Sequence, residues 1–311
     1  MAVCAVPAWG GGEADAGAAL APSLPPGARL VPASWPISEI DTRVRNPERD
    51  SLPADRAQAE EIRRGYRLFL DTRKFAPTSV GGTLSCGNCH LNAGQKEGAL
   101  PLVGIAAIFP EYNRRCGRSF SLEDRVVGCF LRSLNAPGLR LDSREEHENR
   151  TPHPDVGAPE VRALAAYLRW LSEGVTAEDT RAWRNWHIPS QRLIALERLD
   201  RRRGARLYRE KCANCHGRDG QGVDIGGIQP GPLWGTRSWN DGAGVARVYT
   251  LASYLRHAMP YTAPGSLTDE EAQQLAAYID GKPRPAFPAK RLDYRVEKMP
   301  EDAVYYKVDG R

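Results

Sequence analysis

At 311 residues the chain is long enough for two modest domains, each able to bury a core. A hydrophobic fraction of 41% and a charged fraction of 26% are ordinary for a globular protein, and no stretch approaches the roughly 18 consecutive apolar residues of a membrane helix. Lys and Arg number 43 against 38 Asp and Glu; the formal charge of +5 is too small a surplus for a nucleic-acid face, but suits a small anionic substrate or an acidic redox partner.

Residues 1–54 are rich in Gly, Ala and Pro without sustained periodicity, and read as a flexible leader. Met1–Trp9 has a short apolar run and no basic region before it, which reads as the remnant of an export signal, or alternatively as the setting of a lipidated Cys4. Order is expected to begin near Asp55. Between Ala57 and Leu70, Ile62, Tyr66, Phe69 and Leu70 share one helical face. Ser121 and Asp124 form a capping-box pattern that opens a helix to about Leu134. A further helix is predicted over Pro159–Leu171, with Val161, Leu164, Leu168 and Leu171 buried. These elements define a first domain, 55–175.

Residues 176–200 form a linker holding Trp183, Trp186 and His187, with a short helix predicted over Gln191–Leu199. A second domain, 201–285, starts with a helix carrying Gly204, Leu207 and Tyr208. Its Gly/Pro-rich stretch from Gly217 to Gly235 reads as loop, and a helix follows from Gly244 to Ala258. Thr268 caps the last helix, with Glu271 at its third position. The tail, 286–311, is expected to run extended across the surface. The predicted class is all-α, in two tandem domains with extended terminal tails.

Four of the seven Cys lie in two C-x-x-C-H motifs, Cys86-Gly-Asn-Cys89-His90 and Cys212-Ala-Asn-Cys215-His216, the pattern of covalent c-type haem attachment. The two tandem domains are therefore expected to be class I cytochrome c-like, with long haem-wrapping loops. In each, the two thiols bond haem vinyl groups and His90 or His216 supplies the proximal iron ligand. A tetrahedral zinc site would want four ligands per motif, and only scattered Cys and His remain to complete one. Bacterial thioether attachment takes place outside the cytoplasmic membrane, so a periplasmic location is expected. The sixth ligand then decides the chemistry. Met259, just beyond a helix, would give the second haem His/Met ligation suited to electron transfer; the bland reading is core filler, and His257 is the competitor. The first domain has no Met. Cys129 shares a helical face with Leu122 and Val126 and is the candidate distal ligand. Cys116 as ligand, a Cys116–Cys129 disulfide, a merely structural Cys129 or an open iron are the alternatives.

The runs Pro101-Leu-Val-Gly-Ile105, Phe109-Pro-Glu-Tyr-Asn113 and Leu122-Glu-Asp-Arg-Val-Val-Gly-Cys-Phe-Leu-Arg-Ser-Leu-Asn135 resemble the dihaem thiosulfate dehydrogenases. So do Pro232-Leu-Trp-Gly235, Trp239-Asn-Asp-Gly-Ala-Gly244 and Ala258-Met-Pro260, and the likeness spans about residues 60–285. The resemblance implies coupling of two thiosulfates to tetrathionate with release of two electrons, or the reverse. It implies Cys129 as axial ligand of the catalytic haem, Arg115, Arg125 and Ser133 as pocket groups, and Met259 as ligand of the electron-transfer haem. Ala136 and Ala258 depart from basic residues of some relatives, and Cys116 is an extra thiol.

Elementary chemistry agrees. Two thiosulfate dianions repel each other; Arg side chains beside Cys129 would offset that repulsion, bind sulfonate oxygens as a fork and favour thiolate. For each of Arg114, Arg115, Arg118, Arg125 and Arg132 the alternative is a propionate partner or solvent. Electrons are expected to pass from the His/Cys haem to the His/Met haem and on to a small cytochrome c or another high-potential redox protein. The rival readings are a tetrathionate reductase, a sulfur-carrier ligase of the SoxAX type, and a plain dihaem electron carrier.

Overall fold

A computed structural model describes residues 30–31, 33, 44–137, 157–184, 186–225 and 229–306. Met1–Trp9, with Cys4, lies outside the described residues. Helix α1 (Arg56–Leu70) starts where Asp55 accepts the amides of Ala57 and Gln58, and buries Ile62, Tyr66 and Phe69. Short segments follow: α2 (Thr72–Phe75), a 3-10 turn over the first haem motif (Cys86–Asn88) and α3 (Leu91–Gly94). A small antiparallel hairpin, β1 (Glu111–Asn113) and β2 (Arg118–Phe120), pairs Glu111 with Phe120. Then come α4 (Leu122–Arg132), α5 (Pro159–Leu171) and α6 (Ala177–Arg184). The second half holds α7 (Arg201–Lys211), α8 (Ala213–His216), α9 (Val248–Ala258) and α10 (Asp269–Ile279). Among the described residues no helix is long and apolar enough to cross a membrane.

The two halves repeat one packing device. Helix α1 crosses α5, and α7 crosses α10, each at a glycine. A Cβ at Gly65 would come to 1.9 Å from the Ala163 carbonyl oxygen, and one at Gly204 to 2.1 Å from that of Gln274. Only glycine lets the backbones approach so closely. The apolar interior is one cluster running from Ile62 and Tyr66 through Trp170 to Leu207, Leu251 and Leu275. The halves are also joined directly. Tyr254 donates its hydroxyl to the Cys89 carbonyl (3.1 Å), and Asn240 reaches the carbonyls of Leu131 (2.7 Å, from Nδ2) and Arg132 (3.0 Å, from N).

Apart from the short hairpin the described residues are mostly helical, as expected of the all-α class. Three expectations need correcting. Order begins before Asp55: Val31 and Val44 are buried, Val31 bridges to Lys96, and the Arg45 guanidinium stacks on Trp170 at 3.8 Å. Residues 191–199 are not a helix but two 3-10 turns, Ser190–Arg192 and Leu196–Arg198, while α6 stands earlier in the connection. Pro189 ahead of the first turn offers no side-chain cap, whereas Thr176 and Asp179 close the start of α6 reciprocally. Finally, the tail does not skim the surface. Phe287, Asp293, Asp302, Ala303 and Tyr306 are buried, because the tail's carboxylates answer Arg residues of both halves.

Candidate functional site

The first haem motif is shaped by its own small residues. Ser85 donates its amide to Asn88 Oδ1 at 2.6 Å, closing the turn that carries Cys86 and Cys89, and Thr72 Oγ1 accepts the Cys86 amide at 3.3 Å. His90 Nδ1 lies 2.6 Å from the carbonyl oxygen of Leu100, a residue held at φ 51°. That contact assigns the ring proton to Nδ1 and leaves the Nε2 lone pair free, as in imidazoles that bind a metal through one nitrogen while the other donates to a carbonyl. Burial, helped by the positive charge of Arg125, pushes His90 down to about 4, so the ring is neutral as a ligand must be. Burial pushes the thiols of Cys86 and Cys212 up to about 12 and that of Cys89 up to about 11.

Helix α4 presents Cys129. Its start is fixed by the capping box: Asp124 N donates to Ser121 Oγ at 3.1 Å, and Ser121 N to Asp124 Oδ2 at 2.9 Å. Cys129 is half-buried and lines a cavity of ≈ 870 Å³ together with Arg115, Cys116, Arg125, Ser133 and Arg247. His90 lines a neighbouring cavity of ≈ 310 Å³, and the two share Glu111, Asn113, Phe120 and Arg125. A planar cofactor anchored at Cys86 and Cys89 would thus meet an imidazole and a thiol that border two adjoining cavities. Cys116 and Cys129 are both free thiols, so the disulfide alternative is not formed. Burial raises the Cys116 thiol.

The five arginines near α4 divide sharply. Arg132 is locked to Asp293 by two bonds of 2.6 Å, Arg118 to Asp124 at 3.1 Å, and Arg114 projects outward beside Glu297. Arg115 donates to the carbonyl of Gly242 and, at 3.3 Å, to the Tyr294 hydroxyl, with no carboxylate partner. Arg125 is exposed at the cavity, and its guanidinium makes no hydrogen bond or ion pair among the described residues. The structure therefore brings Cys129, Arg115, Arg125 and Ser133 to one cavity and leaves two of the five guanidinium groups without a carboxylate.

In the second motif the Nδ1 of His216 is buried. The Gly231 carbonyl raises the ring's basicity without reaching good hydrogen-bond geometry, while burial lowers it overall. Met259 caps the C-terminus of α9, donating its amide to Leu255 O at 3.1 Å. Its half-buried side chain packs near Leu91, Ala99 and Tyr254, beside the first haem segment. His257 is committed elsewhere: its ring meets Trp186 edge-on at 4.9 Å, and burial pushes it down to about 4.

Sequence reasoning missed part of the cavity wall. Tyr294, Lys298 and Met299 come from the tail, and Arg247 from the start of α9. The only hint was the acidic spacing of Asp293 and Asp302, which has meaning only once Arg132 and Arg247 are seen opposite.

Residues 75–177 match the family described as SoxA/TsdA, cytochrome c domain, and residues 200–279 that described as cytochrome c oxidase, cbb3-type, subunit III. A thiosulfate dehydrogenase of Stutzerimonas stutzeri is 36% identical over 255 residues, covering 81% of this chain and 76% of the relative. One from Allochromatium vinosum is 39% identical over 245 residues, covering 76% and 83%. The chain belongs to the thiosulfate dehydrogenase family. Among solved structures, the thiosulfate dehydrogenase TsdBA of Marichromatium purpuratum superposes with a TM-score of 0.66 at 32% identity over 80% of this chain. The chain spans about half (53%) of that longer protein. Like the family, it has two cytochrome c domains and carries two covalently bound c-type haems.

Proposed function

We propose that the chain is a thiosulfate dehydrogenase that couples two thiosulfates to tetrathionate at Cys129, by a reaction that can run in either direction. The single observation that carries this reading is the shared cavity, where a thiol on a capped helix meets two guanidinium groups that form no ion pair among the described residues. Cys86 and Cys89 would hold the first haem, with His90 and Cys129 as its iron ligands; Cys212 and Cys215 would hold the second, with His216 and Met259. When bound, the haems supply one-electron acceptors, two of which match a two-electron oxidation.

The chain's own groups do the rest. Arg115 and Arg125 hold sulfonate oxygens and offset the repulsion between dianions. Cys129 thiolate bonds the sulfane sulfur of one thiosulfate, giving Cys129–S–S–SO3⁻ and releasing two electrons, which the two haems would accept and pass to an external acceptor such as a small cytochrome c, in the periplasm. The second thiosulfate attacks that sulfane sulfur; the Cys129 sulfur leaves as thiolate, and tetrathionate is released. Ser133, which ends α4 and lines the cavity, would donate to a sulfonate. The thiol and unpaired Arg groups favour this over a plain electron carrier, which needs neither.

The test is a stopped assay of the purified holoprotein with thiosulfate and ferricyanide, following tetrathionate, beside Cys129→Gly. Tetrathionate from the wild type and none from the variant supports the mechanism. Full turnover by the variant, with both haems loaded, would sink it.

A further inference from the structure

The tail crosses the candidate site as an arch with both feet pinned. At one foot Asp293 takes two 2.6 Å bonds from Arg132 of α4, in the first half of the chain. At the other, Asp302 Oδ1 takes Arg247 Nε and Nη2 at 2.9 and 2.8 Å, and its second oxygen accepts the Tyr249 amide at 3.1 Å. Both carboxylates are buried, with side-chain exposures of 1% and 2%. Between the feet, Tyr294, Lys298, Met299 and Glu301 line the cavity that holds Cys129.

The pinning leaves a specific charge pattern. Arg132 and Arg247 are neutralised by the feet of the arch. Arg115 and Arg125 approach from the β-hairpin and α4. Arg114, also in the wall, stands 3.6 Å from Glu297, whereas Lys298 is exposed and without a hydrogen bond or ion pair among the described residues. Of the cavity's two carboxylates, Glu111 is held by Arg184 at 2.9 Å, and Glu301, on the arch, makes no ion pair among the described residues. The proposed reaction joins two dianions, and its product carries a sulfonate at each end. One such group is served by Arg115 and Arg125; a second, farther along the product, needs a cation of its own.

We propose that Lys298, held over the cavity by the arch, is a substrate-binding residue that receives the outer sulfonate of the second thiosulfate and of tetrathionate. The inference rests on the thiosulfate reading above and adds to it the second anion subsite. Lysine suits the role, because its flexible ammonium can follow a sulfonate that moves as the new S–S bond forms.

The experiment compares wild type, Lys298→Glu, Lys298→Ala and Lys298→Arg as dihaem holoproteins, with Lys74→Ala, on the surface segment α2, as control. Steady-state oxidation of thiosulfate by ferricyanide is measured at low and high ionic strength, with tetrathionate as product inhibitor. Loss of a charge-assisted hydrogen bond should raise KM for thiosulfate about tenfold in Lys298→Ala, with kcat within about twofold, and weaken tetrathionate inhibition in parallel. Lys298→Glu should be worse, Lys298→Arg near wild type, and added salt should shrink the gap. Haem absorbance and reduction potentials should be those of wild type in every variant. Unchanged KM and tetrathionate inhibition in Lys298→Glu, beside an active wild type, would overturn the proposal and leave the thiosulfate reading standing. A wild type that neither oxidises thiosulfate nor binds tetrathionate would overturn both.

Discussion

Replacing Asp293 by Ala should cost the protein far more than an ordinary surface charge. The Asp293 carboxylate accepts both Arg132 nitrogens at 2.6 Å and the Tyr306 hydroxyl, and its side chain is 1% exposed. Alanine leaves the Arg132 guanidinium, 14% exposed, with only the Gly242 carbonyl at 3.2 Å and the Phe287 ring at 4.0 Å. Removing one partner of a buried pair strands the other charge, at a cost of about 3–5 kcal/mol. Asp293→Asn keeps the shape and the tyrosine contact but weakens the charge-assisted bonds, and should cost about 1–2 kcal/mol. Urea titration of the holoprotein, followed by tryptophan fluorescence and far-ultraviolet dichroism, measures both. Hydrogen exchange should also speed up between residues 294 and 301 in the alanine variant, because one foot of the arch is free. A loss below about 1 kcal/mol for Asp293→Ala, with the arch still protected, would refute the claim that this pair anchors it.

The crossing glycines make a paired prediction: Gly65→Ala and Gly204→Ala should each destabilise by about 1–3 kcal/mol or more through overpacking, and thermal melts near wild type would contradict the close helix approach. Ser121→Ala removes the cap that starts the Cys129 helix and should cost about 1 kcal/mol by urea titration; an unchanged midpoint would argue against it. Burial pushes the Asp280 carboxyl up from 3.8 to about 7, against the pull of Arg284, so the folded chain keeps a proton that the unfolded chain releases. Stability should therefore fall as pH rises from about 4 to about 7; Asp280→Asn should flatten that slope, and an identical slope in the variant would show the assignment to be wrong.

Much of the site was legible because its signals are local. The two haem motifs are contiguous, and the boxes at Ser121 and Thr268 announce their helices within four residues. The face that joins Cys129 to Val126 follows from helix geometry alone. What stayed hidden depends on contacts between distant segments. Nothing near Arg125 distinguishes it from Arg132; the difference is that Asp293, 161 residues on, neutralises one and not the other. The carbonyl that orients His90 belongs to Leu100, whose left-handed backbone no propensity would forecast. The tail reads as extended in sequence because its proline-punctuated residues show no period; its buried Asp residues gain meaning only beside their arginines.

The arch also carries information about the order in which the molecule is assembled. Residues 293–302 emerge after both haem motifs, whether from the ribosome or from an export channel. One foot needs α4 and the other needs the start of α9, so the arch can dock only on two halves that are already built. Until then the cavity beside Cys129 lacks the wall that Tyr294, Lys298 and Met299 supply. A chain whose halves are misplaced offers the tail no pair of arginines at the right span, so the last wall of the cavity is added only when both halves stand in register.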